Sequence, residues 1–413
     1  MISFASLTTF FWPGKKEFIT VFDLGTFSIK ALLVEIGDGK AVVRAACEEH
    51  YGPDGFGDIK DARQKVFAEL KRISGITPNH IFVGLSGSSV FGKNFSQFYA
   101  RENPHSEIDV PELKHLLQNV EQRAYESLRK DFARETGLSE IEVYIINAAA
   151  QEVKIDGYRV VNPLNFRGRE ISFSIFNSYV ARQYLKKISD LFTNSNLILD
   201  GFVYEPFALH QNFLRKVAPD YNAIFLDVGG SCSTVSVVRK GRIEQVGNVE
   251  IGGAAFTKKI ARELEVGYWE AEHIKMRYDR EDISLAVSRK LMKIFANETE
   301  TFLRGLEIIL HDFSQSSLLP PVLYLTGGGS MFSHVQKMMA KKEWREELSF
   351  LQPLRINYIE QSFFPLVSVN SQFSYDARWA QVFSLAQFIA TESERKDDVL
   401  YKTIKRMVKL IQE

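Results

Sequence analysis

The chain has 413 residues, and its 51 Lys and Arg are balanced by 51 Asp and Glu, so the formal net charge is zero. This length predicts two large domains rather than one core, and the balanced charge excludes a general electrostatic attraction to nucleic acid. A hydrophobic fraction of 45% and a charged fraction of 25% are typical of a soluble globular protein, and no apolar stretch approaches the roughly 20 residues of a membrane-spanning helix.

The chain begins with an apolar, aromatic segment, Met1–Trp12. It has no basic residues ahead of its apolar part, so it is not typical of a signal peptide. Two alternatives stay open. The segment lies in a membrane interface, with Phe4, Leu7 and Phe11 at helical spacing, or it is a strand or loop packed on the body.

A strand–turn–strand unit follows. Phe18–Phe22 is an apolar run, Asp23–Thr26 (DLGT) is a turn, and Ile29–Ile36 is the second strand. Ala62–Ile73 has the spacing of an amphipathic helix, and Ile81–Leu85 is a buried strand.

The stretch Ser86–Gly168 has a different pattern of predicted elements. It starts as a polar loop and continues with a helix from about Val110 to Glu135, a strand at Val143–Asn147 and a hairpin around Asp156 and Gly157. This pattern predicts a small α+β insert within a larger domain.

The opening unit then recurs. Ala223–Asp227 is an apolar strand, Gly229–Ser231 a glycine turn and Thr234–Val238 the next strand. A repeated strand–turn–strand unit indicates two related domains that face each other with a site between them. A third glycine turn, Thr326–Ser330 (TGGGS), follows the buried strand Pro321–Leu325.

The three glycine turns share a physical property that suits them to bind an anion. Glycine lets the backbone approach a ligand closely, and consecutive N–H groups form a concavity for anions. Asp23 and Asp227 end the two related strands, and a carboxylate beside a polyphosphate needs a cation between them. These positions therefore imply Mg²⁺, held through waters, and Lys30 can reach a phosphate as a point charge.

These motifs, in this order, resemble those of the actin, Hsp70 and sugar-kinase superfamily, and most closely its bacterial FtsA family. The resemblance extends from about Glu17 to Ala390. It implies ATP as the cofactor, with Mg²⁺ at Asp23 and Asp227. The implied nucleotide contacts are Asp23, Gly25, Thr26, Lys30, Gly229, Gly230, Ser231, Glu272, Lys275, Gly327, Gly328 and Gly329.

Two further features of the resemblance concern catalysis. Glu205, followed by Pro206, stands where superfamily ATPases often hold a water-orienting residue, so it is the implied catalytic residue. Ser231–Ser233 replaces the Gly/Thr-rich run that is usual in the second phosphate motif. The resemblance therefore implies ATP binding with at most slow hydrolysis.

The resemblance also implies an α/β, actin-like (ribonuclease H-like) two-domain fold with a nucleotide cleft between the domains and an inserted SHS2-type α+β subdomain. The expected parts are an N-terminal extension, 1–16; subdomain IA, 17–86 with 171–220 and 362–390; the insert 1C, 87–170; subdomain IIA, 221–254 with 312–361; subdomain IIB, 255–311; a linker, 391–398; and a terminal helix, 399–413.

The terminal helix is amphipathic. Leu400, Ile404, Met407, Val408 and Ile411 share one face, and cationic residues occupy the remainder. A basic amphipathic helix behind a polar linker is typical of a membrane-surface anchor, and FtsA proteins end in such a helix. The alternative is a C-terminal helix docked on the body.

The resemblance favours a scaffold on the inner face of the cell membrane. It would bind ATP, self-associate into filaments, and tether an FtsZ-like division protein to an anionic membrane. One alternative is a PilM-like cytoplasmic adaptor of pilus or secretion assembly, which binds a peptide of a membrane partner. Another is a small-molecule kinase of the same superfamily, although no further acidic motif supplies the base that it requires.

Overall fold

The computed structural model describes residues 17–52, 59–137, 143–192, 197–370, 373–392 and 399–412. The predicted N-terminal extension, 1–16, and positions 393–398 of the predicted linker lie outside these residues. Residues 391 and 392 of that linker are buried and continue the preceding helix.

The described residues form strands and helices in the following order. The strands are β1 (Glu17–Leu24), β2 (Ser28–Gly37), β3 (Lys40–His50), β4 (His80–Leu85), β5 (Val90–Ala100), β6 (Val143–Ile155), β7 (Tyr158–Val160), β8 (Glu170–Ala181), β9 (Ile198–Tyr204), β10 (Ala223–Val228), β11 (Ser233–Arg239), β12 (Arg242–Val249), β13 (Val322–Thr326), β14 (Arg355–Tyr358) and β15 (Val367–Ser368). The helices are α1 (Ile59–Ser74), α2 (Val110–Thr136), α3 (Arg182–Phe192), α4 (Glu205–Lys216), α5 (Gly253–Leu264), α6 (Tyr268–Asp279), α7 (Leu285–Ser314), α8 (Ser333–Ala340), α9 (Ala380–Thr391) and α10 (Val399–Gln412).

The first sheet has the strand order β15-β3-β2-β1-β4-β9. Its central strands are almost wholly buried, because apolar residues from Val21 to Phe22 and from Ala31 to Val34 face packed layers on both sides. Helix α9 is buried at every position and packs against β1, β2 and β3. This arrangement fixes the carboxyl end of β1 at the edge of the core.

The second sheet has the strand order β14-β13-β10-β11-β12-β5-β8-β6-β7. Strand β10 pairs antiparallel with β11 and parallel with β13, as β1 pairs antiparallel with β2 and parallel with β4. In both hairpins the aspartate faces the second strand at an equivalent position, Asp23 opposite Lys30 and Asp227 opposite Thr234. The predicted internal repeat is therefore a structural repeat, and the predicted α/β two-domain class is confirmed.

The insert consists of α2 and the strands β5, β6, β7 and β8. Helix α2 begins where Asp109 accepts a hydrogen bond from the Glu112 N–H at 2.8 Å, and ends at Gly137, which has φ 71°. The predicted hairpin is present, with Asp156 and Gly157 at positive φ between β6 and β7. Strand β8 pairs along its length with β5 and β6. The insert's sheet therefore includes residues 170–181, most of which the sequence assigns to the flanking subdomain.

The insert also joins the second domain. Gln245 of β12 pairs with Lys93 of β5, which makes one continuous sheet. Next to this bridge the β6 ladder is irregular at Gln151. A bulge of this kind re-aims a side chain, and here the Gln151 amide bonds both backbone groups of Ile243, at 3.1 Å and 2.7 Å.

The terminal helix α10 lies in the second of its two expected arrangements. Leu400, Ile404 and Val408 are buried in the core of the insert, where α10 packs against α2 and β6. The structure therefore has the docked arrangement rather than a free anchor, because the insert offers an apolar surface that matches the helix. No helix in the described ranges has the length and apolar character needed to cross a bilayer.

Candidate functional site

The three glycine turns meet at one cavity of about 670 Å³. The first turn follows β1, the second follows β10, and the third follows β13 and forms a short 3-10 helix at Gly328–Met331. The predicted site residues that line the cavity are Asp23, Gly25, Thr26, Lys30, Glu205, Asp227, Gly229, Gly230, Glu272, Lys275, Gly327, Gly328 and Gly329. Residues from five separate segments of the chain are thus brought together.

Ser231 is the exception among the predicted contacts. Ser231 is exposed and does not line the cavity. Its backbone N–H instead donates to the hydroxyl oxygen of Thr26 at 2.9 Å, which links the first and second turns across the cleft.

The second turn is held by the start of helix α5. The N–H groups of Gly253 and Ala254 donate to the carbonyls of Gly229 and Gly230, each at 2.9 Å. These bonds satisfy two of the N–H groups that a helix leaves unpaired at its beginning. The turn is thereby fixed in position before any ligand arrives.

Gly327 in the third turn is required by geometry. It has φ 86°, a left-handed conformation that side chains disfavour, and a Cβ there would lie 2.1 Å from Oδ1 of Asp227. Gly328 differs, because a Cβ at that position would meet nothing within 4 Å. The backbone at Gly328 therefore borders open space in the cavity.

Lys30 is a buried cation between carboxylates. Its Nζ lies 3.5 Å from Asp23 Oδ2 and 3.8 Å from Glu48 Oε1. Burial alone lowers its pKa, yet Asp23, Glu48, Asp227 and Glu205 together raise that pKa above the ordinary value. Lys30 is therefore a fixed positive charge in the wall of the cavity.

The surroundings of Glu205 and Asp227 favour the neutral form of their carboxyl groups, whereas those of Lys30 favour its charged form. Burial, followed by the charge of Asp23, raises the pKa of Asp227 to about 6. Burial, followed by the charges of Asp23 and Asp227, raises the pKa of Glu205 well above its ordinary value. A cation in the cavity would relieve this mutual repulsion.

Glu272 and Lys275 project from α6 into a shared polar network. Thr257 donates to Glu272 at 2.5 Å, and Lys275 Nζ lies 2.8 Å from both Thr257 Oγ1 and Glu272 Oε2. Thr257 is fully buried, so the network joins α5 to α6 beside the cavity. The sequence predicted both charged residues, but it did not predict their direct pairing.

The site fits a nucleotide with a divalent cation on three observations. The backbone of Gly328 borders open space, since a Cβ there would meet nothing within 4 Å, so a ligand can approach that backbone closely. Oε1 of Glu205, in a side chain that is 1% exposed, has no hydrogen-bond partner among the described residues. The donor set is oxygen-rich, as Mg²⁺ prefers, and no described group of three or more His, Cys, Asp or Glu could bind a metal directly.

Sequence reasoning missed two parts of the site. Gln381 of α9 donates from Nε2 to Asp227 Oδ2 at 3.0 Å. An aromatic group at the mouth places Phe27 of the first turn 5.9 Å from Trp269 and 6.3 Å from Tyr268, between ring centroids. The available signal for Gln381 was a polar side chain in a helix that is buried at every position, a signal that Gln387 shares. No local sequence pattern marked the aromatic group.

The sequence comparisons agree with the motifs. No protein-family model matches the chain. It is 23% identical to cell division protein FtsA of Agrobacterium fabrum over 227 residues, which cover 54% of this chain and 47% of that protein. The chain thus spans about half the length of this relative. It is 19% identical to FtsA of Enterococcus hirae over 403 residues, covering 89% of this chain and 85% of that protein.

The structural comparison establishes the fold. The solved PilM-PilN type IV pilus biogenesis complex contains a chain that matches with a TM-score of 0.64 at 16% identity. The match covers 91% of this chain and 98% of that one. The actin-like fold that the motifs predict is confirmed, and so is the resemblance to FtsA.

Proposed function

Starting from an FtsA-like sequence on an actin-like fold, we propose that this chain is an ATP-binding scaffold of bacterial cell division. ATP with Mg²⁺ binds in the cavity between the two domains. The observation that carries this proposal is the convergence of three glycine turns, Lys30 and the two related aspartates on one cavity.

The roles of the side chains follow from their placement. Lys30 neutralises phosphate charge, and the N–H groups of the glycine turns cradle phosphate oxygens. Asp23 and Asp227 hold Mg²⁺ through waters, and the cation supplies the charge neutralisation that lets phosphates lie beside carboxylates. Glu272 and Lys275, already fixed through Thr257, contact the adenosine.

Hydrolysis in this proposal is slow. Glu205 orients the attacking water, because its carboxyl is buried in the cavity wall and one of its oxygens has no hydrogen-bond partner among the described residues. Burial and two neighbouring carboxylates favour its protonated form. A protonated carboxyl accepts a proton from water poorly.

The scaffold role includes an FtsZ-like partner, self-association and a membrane surface. The FtsA relatives support the first two, and the composition of α10 supports the third. Lys402 and Arg406 of α10 are exposed, where they can meet anionic lipid. Leu400, Ile404 and Val408 are buried against the insert, so binding to a membrane requires α10 to leave that surface.

Co-sedimentation with anionic vesicles tests the membrane role. The full chain is compared with a chain ending at Asp398, each with and without ATP and Mg²⁺, and with neutral vesicles as the control. The proposal expects the full chain alone to pellet, and to carry an FtsZ-like partner with it. If neither chain pellets with anionic vesicles, the membrane role is wrong.

A PilM-like adaptor is the second candidate. The likeness to the PilM-PilN complex over 91% of the chain and the docked position of α10 both favour it. In that case the chain binds a short peptide of a membrane partner instead of lipid. Failure of both chains to pellet, together with capture of such a peptide, would favour this candidate.

A further inference from the structure

Gln381 occupies an unusual position in the fold. It lies in α9, a helix that is buried at all of its positions and packs on the first sheet. Its side chain nevertheless reaches the carboxylate of Asp227 at the end of β10, in the second sheet, with 3.0 Å between Nε2 and Oδ2. A residue of the first domain thus contacts the second domain's predicted metal-binding carboxylate.

This contact fixes the orientation of Asp227. Oδ2 accepts the hydrogen bond from Gln381. Oδ1 lies so close to the backbone of Gly327 that a Cβ added to this glycine would be only 2.1 Å from it. A hydrogen bond to a charged acceptor contributes more than one between neutral groups. The carboxylate therefore has one defined direction toward the cavity.

The other end of the Gln381 amide has no assigned role. Its Oε1 is buried and has no hydrogen-bond partner among the described residues, although the side chain is 4% exposed and lines the cavity. A buried acceptor without a partner is costly, and water bound to a cation is the strong donor that fits an oxygen in this place.

We propose that Gln381 is a positioning residue that orients Asp227 across the cleft and accepts a hydrogen bond from a water of the bound Mg²⁺. This inference rests on the proposed binding of ATP with Mg²⁺. It adds that the metal site is completed by α9 of the first domain, so that the site is assembled only when the two domains are together.

The helix offers a matched control. Gln387 lies in the same helix, is 1% exposed, and accepts one hydrogen bond from the Leu366 N–H at 3.0 Å. It does not line the cavity. Gln381→Met and Gln387→Met each remove one buried amide of the same size, so a purely structural effect would be the same in kind for both.

The experiment is titration calorimetry of ATP binding to the full chain, in excess Mg²⁺ and in EDTA. The quantity of interest is the dissociation constant in EDTA divided by the dissociation constant in Mg²⁺, which measures how much Mg²⁺ strengthens ATP binding. We expect Gln381→Met to reduce this ratio about tenfold, the order of effect for a lost hydrogen bond to a charged group, with little change in EDTA. Gln387→Met should keep the wild-type ratio, and thermal unfolding checks that each variant is folded.

Gln381→Glu provides a second variant of the same shape. Its ionised carboxylate cannot donate to Asp227, so it should also lose the Mg²⁺ enhancement. An unchanged ratio in the folded Gln381 variants, or an equal loss in Gln387→Met, overturns the inference. Wild-type binding that is equal with and without Mg²⁺ also overturns it and leaves ATP binding in place, whereas a wild type that binds no ATP overturns the proposed function as well.

Discussion

The hydroxyl oxygen of Thr26 accepts a hydrogen bond from the backbone N–H of Ser231 at 2.9 Å. This bond joins the first glycine turn to the second across the cleft, at a place where the two backbones nearly touch. A Cβ on Gly230 would lie 2.8 Å from Cβ of Phe27 and 2.9 Å from Oγ1 of Thr26. The distance between the two domains at the first and second glycine turns is therefore limited by a glycine.

Gly230→Ala should push these loops apart. Because the added methyl meets a backbone-proximal atom rather than the end of a flexible side chain, we expect a loss of about 1–3 kcal/mol in the free energy of unfolding, with weaker ATP binding. Gly328→Ala is the control for stability, since its Cβ meets nothing within 4 Å. Urea unfolding of both variants measures the difference, and equal stabilities would contradict the close contact.

The pH dependence of stability follows from Asp227. Its pKa is raised from 3.8 to about 6 in the folded chain, so the folded state binds more protons than the unfolded state between these values. Stability from this group is present at low pH and is lost as the pH rises through about 6. At neutral pH the ionised carboxylate therefore lowers the free energy of unfolding, by on the order of 1 kcal/mol for each pH unit between these two pKa values.

Asp227→Asn should therefore stabilise the ligand-free chain at pH 7.5 and flatten its stability between about pH 4 and pH 6.5, the range that spans the two pKa values. Thermal unfolding across this range makes the measurement, with Asp190→Asn as the control, because Asp190 is an exposed partner of Lys186. A variant that follows the wild-type pH profile would show that Asp227 is not the group responsible.

The aromatic group at the mouth of the cavity should slow the release of nucleotide. Phe27 belongs to the first domain and Trp269 to α6, and their rings lie 5.9 Å apart. Aromatic pairs contribute about 0.5–1.5 kcal/mol, which corresponds to roughly two- to twelvefold in a rate. Trp269→Ala should speed the release of a fluorescent ATP analogue in stopped-flow displacement by this factor, while Trp269→Phe keeps a ring and a rate close to the wild type. Unchanged release in Trp269→Ala would exclude such a role.

The docked terminal helix makes a prediction about stability. Ile404 is 1% exposed within the insert's core, whereas Arg406 of the same helix is exposed. Ile404→Ala should lower the free energy of unfolding by about 2–4 kcal/mol, and Arg406→Ala should change it little. Urea unfolding in the absence of lipid provides the test. Equal stabilities of the two variants would mean that α10 is not docked in solution.

The join between the insert and the second domain can be tested in the same way. Gln151→Leu removes both bonds to the backbone of Ile243 and leaves a buried N–H and carbonyl without this partner. We expect a loss of about 1–3 kcal/mol. Gln97→Leu is the control, since Gln97 makes an exposed bond to the neighbouring Phe98 carbonyl. If both variants unfold at the same urea concentration, the join contributes nothing to stability.

The sequence predicted those parts of the site that are local. The two hairpins place Asp23 opposite Lys30 and Asp227 opposite Thr234 by strand pairing alone, so the spacing of residues is sufficient to find them. Gln381 could not be found this way, because it is separated from Asp227 by 154 positions and meets it only through the packing of α9.

The terminal helix shows a different limit. An apolar face with cations around it is suited both to a lipid surface and to an apolar groove of the protein, and the pattern does not distinguish them. The choice depends on whether the insert offers a matching surface, which Leu113 and Leu117 of α2 help to form. Ser231 shows the same dependence on tertiary structure, since its N–H is used by Thr26 across the cleft.

Binding of ATP with Mg²⁺ in the cavity between the domains can be tested by titration calorimetry of the wild type, Lys30→Met and Lys65→Met. Lys30 is buried beside Asp23 at 3.5 Å, whereas Lys65 is a largely exposed partner of Glu49. We expect one ATP site per chain in the wild type and in Lys65→Met, and a loss of binding in Lys30→Met while the variant stays folded. A wild type that binds no ATP, or a Lys30→Met variant that binds it as well as the wild type, would show that this cavity is not the ATP site.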